Sequence, residues 1–321
     1  MKKVLIIQTA FIGDVILATP IIETIHLNFP DCILDFMVKK GNEILLADHP
    51  TIRKVYLLDK QKKLRSMFQN IKSIRKEDYD FVINLQRFAS SGLISGFSKA
   101  KKIIGFKNNP FSWMYHQRSN HSLGKGEHEV DRNLALINQF CHFKQRKPRL
   151  YPSKIHFEKI KKYSLESYIC IAPASVWKTK EVPHEKWLEL IKLIDDRVQI
   201  YLVGAPSDFE LCEKIINDSK DKKIRNLCGE LSLMDTAALF KSAEHVYVND
   251  SGPLHIASAM NTPVTAFFCS TIPDFGFGPL SDISSIIEVP NLSCRPCGIH
   301  GKKKCPEGHF NCGNKLNVNL K

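Results

Sequence analysis

Short apolar runs alternate with segments of helical periodicity along the first half of the chain. The runs are four to six residues long and predict strands at 4–7, 33–38, 54–58, 81–85 and 102–106. Apolar residues three and four positions apart predict a helix from Val15 to Ile25, in which Pro20 marks either a bend or the true start. A further helix is expected over 62–76, with the inward residues Leu64, Phe68, Ile71 and Ile74. This alternation predicts right-handed βαβ units around a parallel sheet.

The same alternation returns in the second half, after a helix expected at 131–143 and a basic, proline-containing connector at 144–152. Segment 107–127 before them is polar and irregular, which predicts a long loop. Further strands are predicted at 168–172, 199–203, 224–227, 246–248 and 264–268. Helices are predicted at 184–194, 208–217, 232–242 and from 253 onward. We therefore expect an α/β protein of two Rossmann-like domains, residues 1–150 and 151–321, whose parallel sheets face a central cleft.

One stretch, residues 245–271, combines a strand, a polar turn, a helix and a second strand. The turn is Asn249-Asp250-Ser251-Gly252, and Pro253 follows where a helix begins, a position that proline favours. Backbone N–H groups at such a helix start can bind a phosphate or diphosphate, helped by the helix dipole. A turn with a well-formed helix cap is the alternative interpretation.

Positive charge is concentrated in the first domain. The chain has 321 residues and a net charge of +13; residues 1–150 hold 25 Lys and Arg against 13 Asp and Glu, whereas the remainder holds 21 against 20. This imbalance favours an anionic partner, which can be a nucleic acid, an anionic membrane or a phosphorylated acceptor. A solvated basic surface explains the charge equally well.

The apolar segments are too short for a membrane-spanning helix, because none reaches 18 consecutive apolar residues. The first residues briefly resemble a signal peptide. Gln8 and Asp14 interrupt that apolar run, however, and no small-residue cleavage site follows. We interpret the run as the buried first strand of a cytoplasmic protein.

Several polar residues follow predicted strands and are candidates for chemistry. Asp14 could take a proton from an acceptor hydroxyl or stabilise its helix N-terminus. Lys178 and Lys180, after strand 168–172, could neutralise phosphates or be ordinary loop lysines. Asp208 and Glu210 could bind sugar hydroxyls or cap a helix. His255 could donate to a phosphate or pack against the sheet.

The absence of several familiar enzyme motifs argues against other classes of enzyme. The chain has no G-x-G-x-x-G after either domain's first strand and no G-x-x-x-x-G-K-[ST]. It also has no H-E-x-x-H and no G-x-S-x-G. A nicotinamide enzyme, a P-loop enzyme, a zinc protease and a serine hydrolase are therefore poorly supported.

Ten cysteines fall into two groups. Six are scattered, several within apolar runs, and are interpreted as small core residues. The other four have the spacing C-x2-C-x7-C-x6-C and are Cys294, Cys297, Cys305 and Cys312. Four thiolates so closely spaced could hold a structural zinc ion, whereas disulfides are less expected in a cytoplasmic protein.

Four segments together resemble the ADP-heptose:lipopolysaccharide heptosyltransferase family of bacterial glycosyltransferases. They are IGDVILATP at 12–20, TKEVP at 179–183, GAPSD at 204–208 and NDSGPLHIASAMNTPVTAFF at 249–268. The resemblance covers nearly the whole chain and implies the GT-B fold. Val182 stands where the family usually has Trp, and Asn261 where it often has Gly. The cysteine-rich tail resembles that of some family members, in which it has no catalytic duty.

The resemblance also implies residue roles. Asp14 matches the general base, Lys180 a donor-phosphate ligand, Asp208 a contact to the donor ribose and Asp250 a contact to the donor sugar. Helix-start residues that match the diphosphate site are Ser251, Gly252, Pro253 and His255. HEVDR at 128–132 resembles the helix of the acceptor domain, and the expected acceptor-side residues are Gly13, Arg87, His128 and Arg132.

The resemblance further implies an inverting transfer of heptose or a related sugar that needs no metal for catalysis. The expected donor is a nucleotide-sugar, ADP-heptose, and the expected acceptor is phosphorylated lipopolysaccharide core. The enzyme is expected at the inner-membrane surface, attached peripherally. Alternatives are another nucleotide-sugar or acceptor, and a nucleotide-sugar epimerase. A basic nucleic-acid-binding protein is a less favoured alternative. Nucleic acid is not an expected partner, because the basic residues are not interleaved with aromatics in a recognised binding pattern.

Overall fold

The computed structural model describes residues 2–219 and 222–319 and divides them into two compact units between Tyr151 and Pro152. This division lies one residue from the boundary expected from the connector at 144–152. Each unit is described by itself below.

The amino-terminal unit alternates strands and helices. Its strands are β1 (Lys3–Ile7), β2 (Ile33–Lys39), β3 (Ile52–Leu58), β4 (Phe81–Asn84), β5 (Lys102–Phe106) and β6 (Gln117–Ser119). Its helices are α1 (Ile12–Ile16), α2 (Thr19–Asn28), α3 (Lys63–Ile74), α4 (Ala89–Gly96) and α5 (Glu129–Ala135). Single 3₁₀ turns occur at Glu43–Leu45 and Ser112–Met114.

The strands of this unit form one parallel sheet in the order β3-β2-β1-β4-β5-β6. The central strand β1 is fully buried from Val4 to Ile7, as expected for a parallel strand covered on both faces. From β1 to β3 successive strands are added on one side of the sheet, and from β4 to β6 on the other, so the topological switch point lies between β1 and β4. In open α/β sheets, ligands bind beyond the carboxyl ends of the strands at such a switch point.

The carboxyl-terminal unit repeats this plan. Its strands are β7 (Tyr168–Ala172), β8 (Gln199–Leu202), β9 (Ile224–Asn226), β10 (His245–Asn249), β11 (Val264–Phe268) and β12 (Ser284–Glu288). Its helices are α6 (Lys154–Ile160), α7 (His184–Leu193), α8 (Phe209–Asp218), α9 (Leu233–Ser242), α10 (Gly252–Met260) and α11 (Asn311–Asn314). The sheet is again parallel, in the order β12-β11-β10-β7-β8-β9. Its switch point lies between β7 and β10.

Helix α3 forms where it was predicted but with a different buried face. Met67, Ile71 and Ile74 pack into the core, whereas the prediction that Leu64 and Phe68 point inward is wrong, since they are 67% and 65% exposed. Two other side chains of α3 explain the rotation. Ser66 Oγ accepts a hydrogen bond from the Asp59 N–H at 3.0 Å, and Asn70 Nδ2 donates to the Leu57 oxygen at 2.9 Å. These polar bonds tie α3 to the end of β3.

Other boundaries also differ from the sequence prediction. The predicted first helix is two helices, and Pro20 lies in the first turn of the second, so it marks a true start. The helix expected over 131–143 spans Glu129–Ala135, because Leu136 and Ile137 donate to carbonyls three residues back and so form turns. Further along, the Asn28 carboxamide oxygen accepts the N–H groups of His142 and Phe143. Strands β6 and β12 were not predicted; both are edge strands, and β6 contains no apolar residue.

Within the described ranges, the helices are too short or too polar to span a bilayer.

Candidate active site

Asp14 lies beyond the carboxyl end of β1, beside the switch point of the amino-terminal sheet. It is the third residue of α1, and its Oδ2 accepts a hydrogen bond from the Phe11 N–H at 3.1 Å. That bond serves one of the amides that lack partners at a helix start. A carboxylate has two oxygens and several acceptor sites, so this bond and the acceptance of a proton by Asp14 are compatible.

Buried amides fix the turn that carries Asp14. The Gln86 side chain, which follows β4, donates to Gln8 Oε1, and that oxygen also accepts from the Ala10 N–H at 3.2 Å. Asn42 Nδ2 donates to the Ala10 oxygen at 2.9 Å. The ends of β1 and β4 are thereby joined, which places Arg87 on the Asp14 side of the sheet edge.

The surroundings of Asp14 adjust its acidity for proton transfer. Burial, and then the negative charge of Glu129, raise the pKa of Asp14 to about 6, while backbone N–H donors and Arg87 act in the opposite direction. A general base functions best with a pKa near the working pH. Arg87 and Asp14 are thus electrostatic neighbours, and a contact of Arg87 with an acceptor stays a prediction.

Glu129 is held as an anion by two basic side chains. Burial alone would raise its pKa, but His121 at 3.0 Å and Arg132 at 2.8 Å hold the pKa below its usual range. Arg132 also donates to the Glu127 and Ser122 carbonyls and is almost fully buried. The observed contacts of Arg132 keep Glu129 in place. A direct contact of Arg132 with an acceptor stays a prediction.

Two other predicted acceptor-side residues have local structural contacts. His128 Nδ1 accepts from the Val130 N–H at 3.2 Å and so caps α5. Gly13 is buried within α1, and its carbonyl accepts from the Leu17 N–H at 2.9 Å. Both shape the elements that carry Asp14 and Glu129, and a direct contact to an acceptor stays a prediction.

In the carboxyl-terminal unit, the structure brings Lys180 and Asp250 together at the switch point. Lys180 Nζ lies 2.6 Å from Asp250 Oδ2, and their side chains are only 14% and 8% exposed. Thr271 Oγ1 donates to the same carboxylate oxygen at 2.6 Å. The lysine follows β7 and the aspartate follows β10, so the pair joins the two strand ends at which ligands bind in such sheets.

Asn249 holds the lysine loop on the sheet, a role that the sequence analysis did not predict. Its Oδ1 accepts from the Val182 N–H at 2.9 Å, and its Nδ2 donates to the Pro173 oxygen at 2.8 Å. The side chain is fully buried. It thus anchors both ends of the loop that positions Lys180.

A segment of the cysteine-rich tail, residues 295–302, packs against the same loop. Thr179 donates its N–H to the Lys302 oxygen at 3.0 Å, and its hydroxyl accepts from the Lys302 N–H at 2.7 Å. A Cβ atom on Gly301 would lie 2.7 Å from Lys180 Cγ and 2.5 Å from Trp177 Cβ, so this close approach requires glycine. Arg295 Nε donates to the Thr271 carbonyl at 2.9 Å, and Thr271 is the residue whose hydroxyl donates to Asp250.

Helix α10 begins at Gly252, one residue before the predicted start at Pro253. Ser251 is the N-cap residue, and Pro253 lies in the first turn. The Ser251 hydroxyl lies 3.4 Å from the Asn249 oxygen and does not cap the helix. His255 is buried in this first turn, which favours packing over an exposed phosphate contact. The anion-binding role of this helix start stays a prediction.

Asp208 closes its own turn. Its Oδ2 accepts from the Ala205 N–H at 2.8 Å, and the Ser207 hydroxyl donates to Oδ1 at 3.2 Å. These are the bonds of the capping interpretation. The contact to a donor ribose is not tested by them and stays a prediction.

The predicted zinc site has no support in the geometry of the tail. In residues 2–219 and 222–319, no group of three or more His, Cys, Asp and Glu side chains is arranged to hold a metal ion. Cys312 is buried in the core, while Cys294, Cys297 and Cys305 are half-buried free thiols. Burial, and then the neighbouring thiols Cys297, Cys305 and Cys294, raise the pKa of Cys312 to about 11.

Fold and site together define a class of protein. Two Rossmann-like sheets of the same strand order, each with charged side chains beyond the carboxyl ends of its two central strands, are the architecture of a protein with the GT-B fold. The solved structure of E. coli ADP-heptose lipopolysaccharide heptosyltransferase II has this fold. It superposes with a TM-score of 0.78 over 98% of both chains, at 23% sequence identity.

The family is defined by sequence. The model of glycosyltransferase family 9 (heptosyltransferase) matches residues 67–310, and the chain belongs to this family. Lipopolysaccharide heptosyltransferase 3 of Escherichia coli K12 is 26% identical over 81% of this chain and 80% of its own length. Lipopolysaccharide heptosyltransferase 2 of the same strain is 25% identical over 89% and 88%. The resemblance found in the four sequence segments is therefore confirmed.

Proposed function

We propose that this glycosyltransferase moves heptose from ADP-heptose to the inner core of lipopolysaccharide, with inversion at the sugar carbon. Its relatives are named lipopolysaccharide heptosyltransferases, and the similar structure is named for ADP-heptose. The observation that carries the proposal is the placement of the charged residues. Asp14, with a pKa near 6, occupies the switch point of one sheet, and the Lys180–Asp250 pair occupies that of the other.

The carboxyl-terminal unit is proposed to bind the donor. The bond between the sugar and the diphosphate breaks with its electron pair moving to the diphosphate, which gains negative charge. Lys180 and the amino-terminal end of α10 stabilise that charge through an ammonium and through backbone N–H donors. Asp250 fixes the ammonium before the donor arrives and contacts the sugar, and Asp208 contacts the ribose.

The amino-terminal unit is proposed to bind the acceptor. An acceptor hydroxyl attacks the sugar carbon on the face opposite the leaving diphosphate, and its proton moves to Asp14. Arg87 and the excess of Lys and Arg in this unit attract the phosphorylated core. Because lipopolysaccharide core is anchored in the inner membrane, we place the enzyme in the cytoplasm at that membrane surface, attached peripherally.

A panel of nucleotide-sugar donors tests this function. Purified protein is incubated with heptose-deficient lipopolysaccharide core and with ADP-heptose, ADP-glucose, UDP-glucose or GDP-mannose, and the product is identified by mass spectrometry. We expect addition of one heptose from ADP-heptose alone. Transfer from a different donor, or to another cell-surface glycan only, would establish the alternative transferase. Epimerisation of the donor without transfer would contradict the proposal.

The pH dependence of transfer is expected to follow the pKa of Asp14. The base must be ionised, so kcat/KM should fall below about pH 6. Removing the anion Glu129 with Glu129→Gln lowers the pKa and moves this acidic limb to lower pH. Removing the cation Arg87 with Arg87→Gln raises the pKa and moves the limb to higher pH. Profiles of kcat/KM against pH measure both, and a limb that moves in the same direction for both variants contradicts the role of Asp14.

Metal removal tests the proposed use of protein groups alone at the leaving diphosphate. We expect the initial transfer rate to be unchanged within about twofold after dialysis against EDTA, since Lys180 and the α10 N-terminus supply the positive potential. Elemental analysis of the same sample separates two outcomes. If activity is lost and added Mg²⁺ restores it, metal-free catalysis is contradicted. One equivalent of bound zinc would support the structural site predicted in the tail.

A further inference from the structure

Helix α3 exposes an apolar pair that no described part of the chain covers. Leu64 and Phe68 lie one turn apart on the face opposite the core, with two thirds of each side chain exposed. Residues three or four positions apart are neighbours on a helix surface, so the pair forms one continuous apolar strip. The core-facing side of the helix is already filled by Met67, Ile71 and Ile74.

The strip lies within a strongly cationic segment. Between Asp59 and Glu77 the chain has no acidic residue but seven basic ones, namely Lys60, Lys62, Lys63, Arg65, Lys72, Arg75 and Lys76. All seven are exposed. None forms an ion pair with a carboxylate in the part of the chain that the structure describes. Their charges are thus available to an external anion.

The amino-terminal end of α3 lies near the candidate base. Because α3 follows β3, it starts at the same carboxyl edge of the sheet as the Asp14 turn. Lys60 confirms the proximity, since its electrostatic neighbours are Lys39, Lys63 and Asp14. An external surface that contacts Leu64 would therefore also lie close to the sheet edge that carries Asp14.

We propose that this face of α3, formed by Leu64 and Phe68 and the basic residues from Lys60 to Lys76, docks the enzyme on an anionic lipid bilayer. Apolar side chains inserted between headgroups and cations around them are the features that bind a helix at a membrane surface. Docking here presents the acceptor-binding edge to a lipid-anchored acceptor. The inference deepens the proposed function and rests on it for the nature of that acceptor.

An anionic bilayer fits this face better than a nucleic acid does. A nucleic acid would use the cations but gain little from Leu64, whereas a bilayer uses both the charges and the apolar strip. Each basic residue near an anionic membrane contributes about fivefold to binding. Insertion of two large apolar side chains adds to this, and the helix needs no structural change to make the contact.

Vesicle sedimentation tests the docking surface without any substrate. The full chain is mixed with vesicles of phosphatidylcholine alone or of phosphatidylcholine with phosphatidylglycerol. We expect binding to the anionic vesicles only, weakened by salt. Leu64→Ser with Phe68→Ser should lower the partition coefficient by about tenfold or more, and Lys62→Gln with Lys63→Gln by a similar factor.

Matched substitutions in the other unit serve as controls. Ile155→Ser with Leu165→Ser removes two equally exposed apolar side chains, and Lys154→Gln with Lys161→Gln removes two exposed cations. Both pairs should bind vesicles like the wild type. Equal losses in all four variants, or wild-type binding by the Leu64 and Phe68 variant, overturn the proposal. Preferential binding of RNA over anionic vesicles, or self-association lost in the same variant, would also overturn it.

Turnover separates this inference from the proposed function. The Leu64→Ser, Phe68→Ser variant should transfer sugar normally to a deacylated, soluble core acceptor. With the intact acceptor in vesicles, its rate should fall by about the same factor as its binding. Absence of transfer to either acceptor by the wild type contradicts the proposed function. Normal transfer by the variant in vesicles contradicts the docking surface alone.

Discussion

The Asp14→Asn variant is expected to transfer sugar about 10³-fold more slowly than the wild type, with little change in KM for the donor. An amide cannot accept the proton of the acceptor hydroxyl, and positioned general bases contribute about 10²- to 10⁴-fold to rates. Asparagine still offers an oxygen to the Phe11 N–H, so the start of α1 is preserved. Steady-state kinetics with ADP-heptose measure the effect.

Stability measurements distinguish lost catalysis from lost folding in this variant. The pKa of Asp14 is raised in the folded protein, so its charged form is disfavoured there, and this cost is complete above about pH 6 and absent below the unfolded pKa. At pH 8, Asp14→Asn should therefore unfold at no lower temperature than the wild type. Asp31→Asn, an exposed carboxylate of the same unit, is the control for charge. More than a tenth of wild-type kcat in Asp14→Asn would exclude Asp14 as the base.

Lys180→Ala is expected to lower kcat/KM by about 10²- to 10³-fold, since a preorganised donor to developing charge is lost. It should also destabilise the carboxyl-terminal unit by about 3 kcal/mol, because the carboxylate of Asp250 stays buried without its cation. Transfer kinetics and thermal unfolding measure the two effects. Lys178→Ala is the matched control, as that lysine lies in the same turn but pairs with Glu181 at the surface.

A double variant separates the two effects of Lys180. Lys180→Met with Asp250→Asn removes both buried charges, so stability should largely return while transfer stays low. Lys180→Arg keeps the cation and should retain more activity than Lys180→Met. Recovery of transfer in the double variant would show that Lys180 serves only to neutralise Asp250.

The layout of the fold was readable from the sequence because the central strands are continuous apolar runs. Val4–Ile7 and 168–172 can only be buried strands, and the polar turns after them mark the carboxyl edge. The edge strands β6 and β12 could not be found in this way, because a partly exposed strand needs no apolar pattern. The face of α3 was mispredicted because hydrogen bonds of Ser66 and Asn70, which periodicity does not weigh, set its rotation.

The candidate site shows a similar division. Asp14, Lys180 and Asp250 stand next to strand ends, so their sequence positions were informative. The residues that hold them come from distant parts of the chain. Glu129 acts across many residues on Asp14, and only its place in HEVDR drew attention to that helix. Asn249 was adjacent to the predicted Asp250, but its two loop contacts depend on the pairing of β10 with β7.

The packing of residues 295–302 on the lysine loop has a consequence for synthesis on the ribosome. Thr179 and Lys302 are 123 residues apart, so the loop is translated long before the segment that completes it. Domains fold in the order in which they emerge, so the unit with Asp14 can fold while the rest is still being made. A nascent chain that already displays Lys180 and Asp250 still lacks Gly301 beside the lysine and Arg295 beside Thr271. The proposed donor site is therefore completed late in translation, whereas the unit that carries Asp14 can fold earlier.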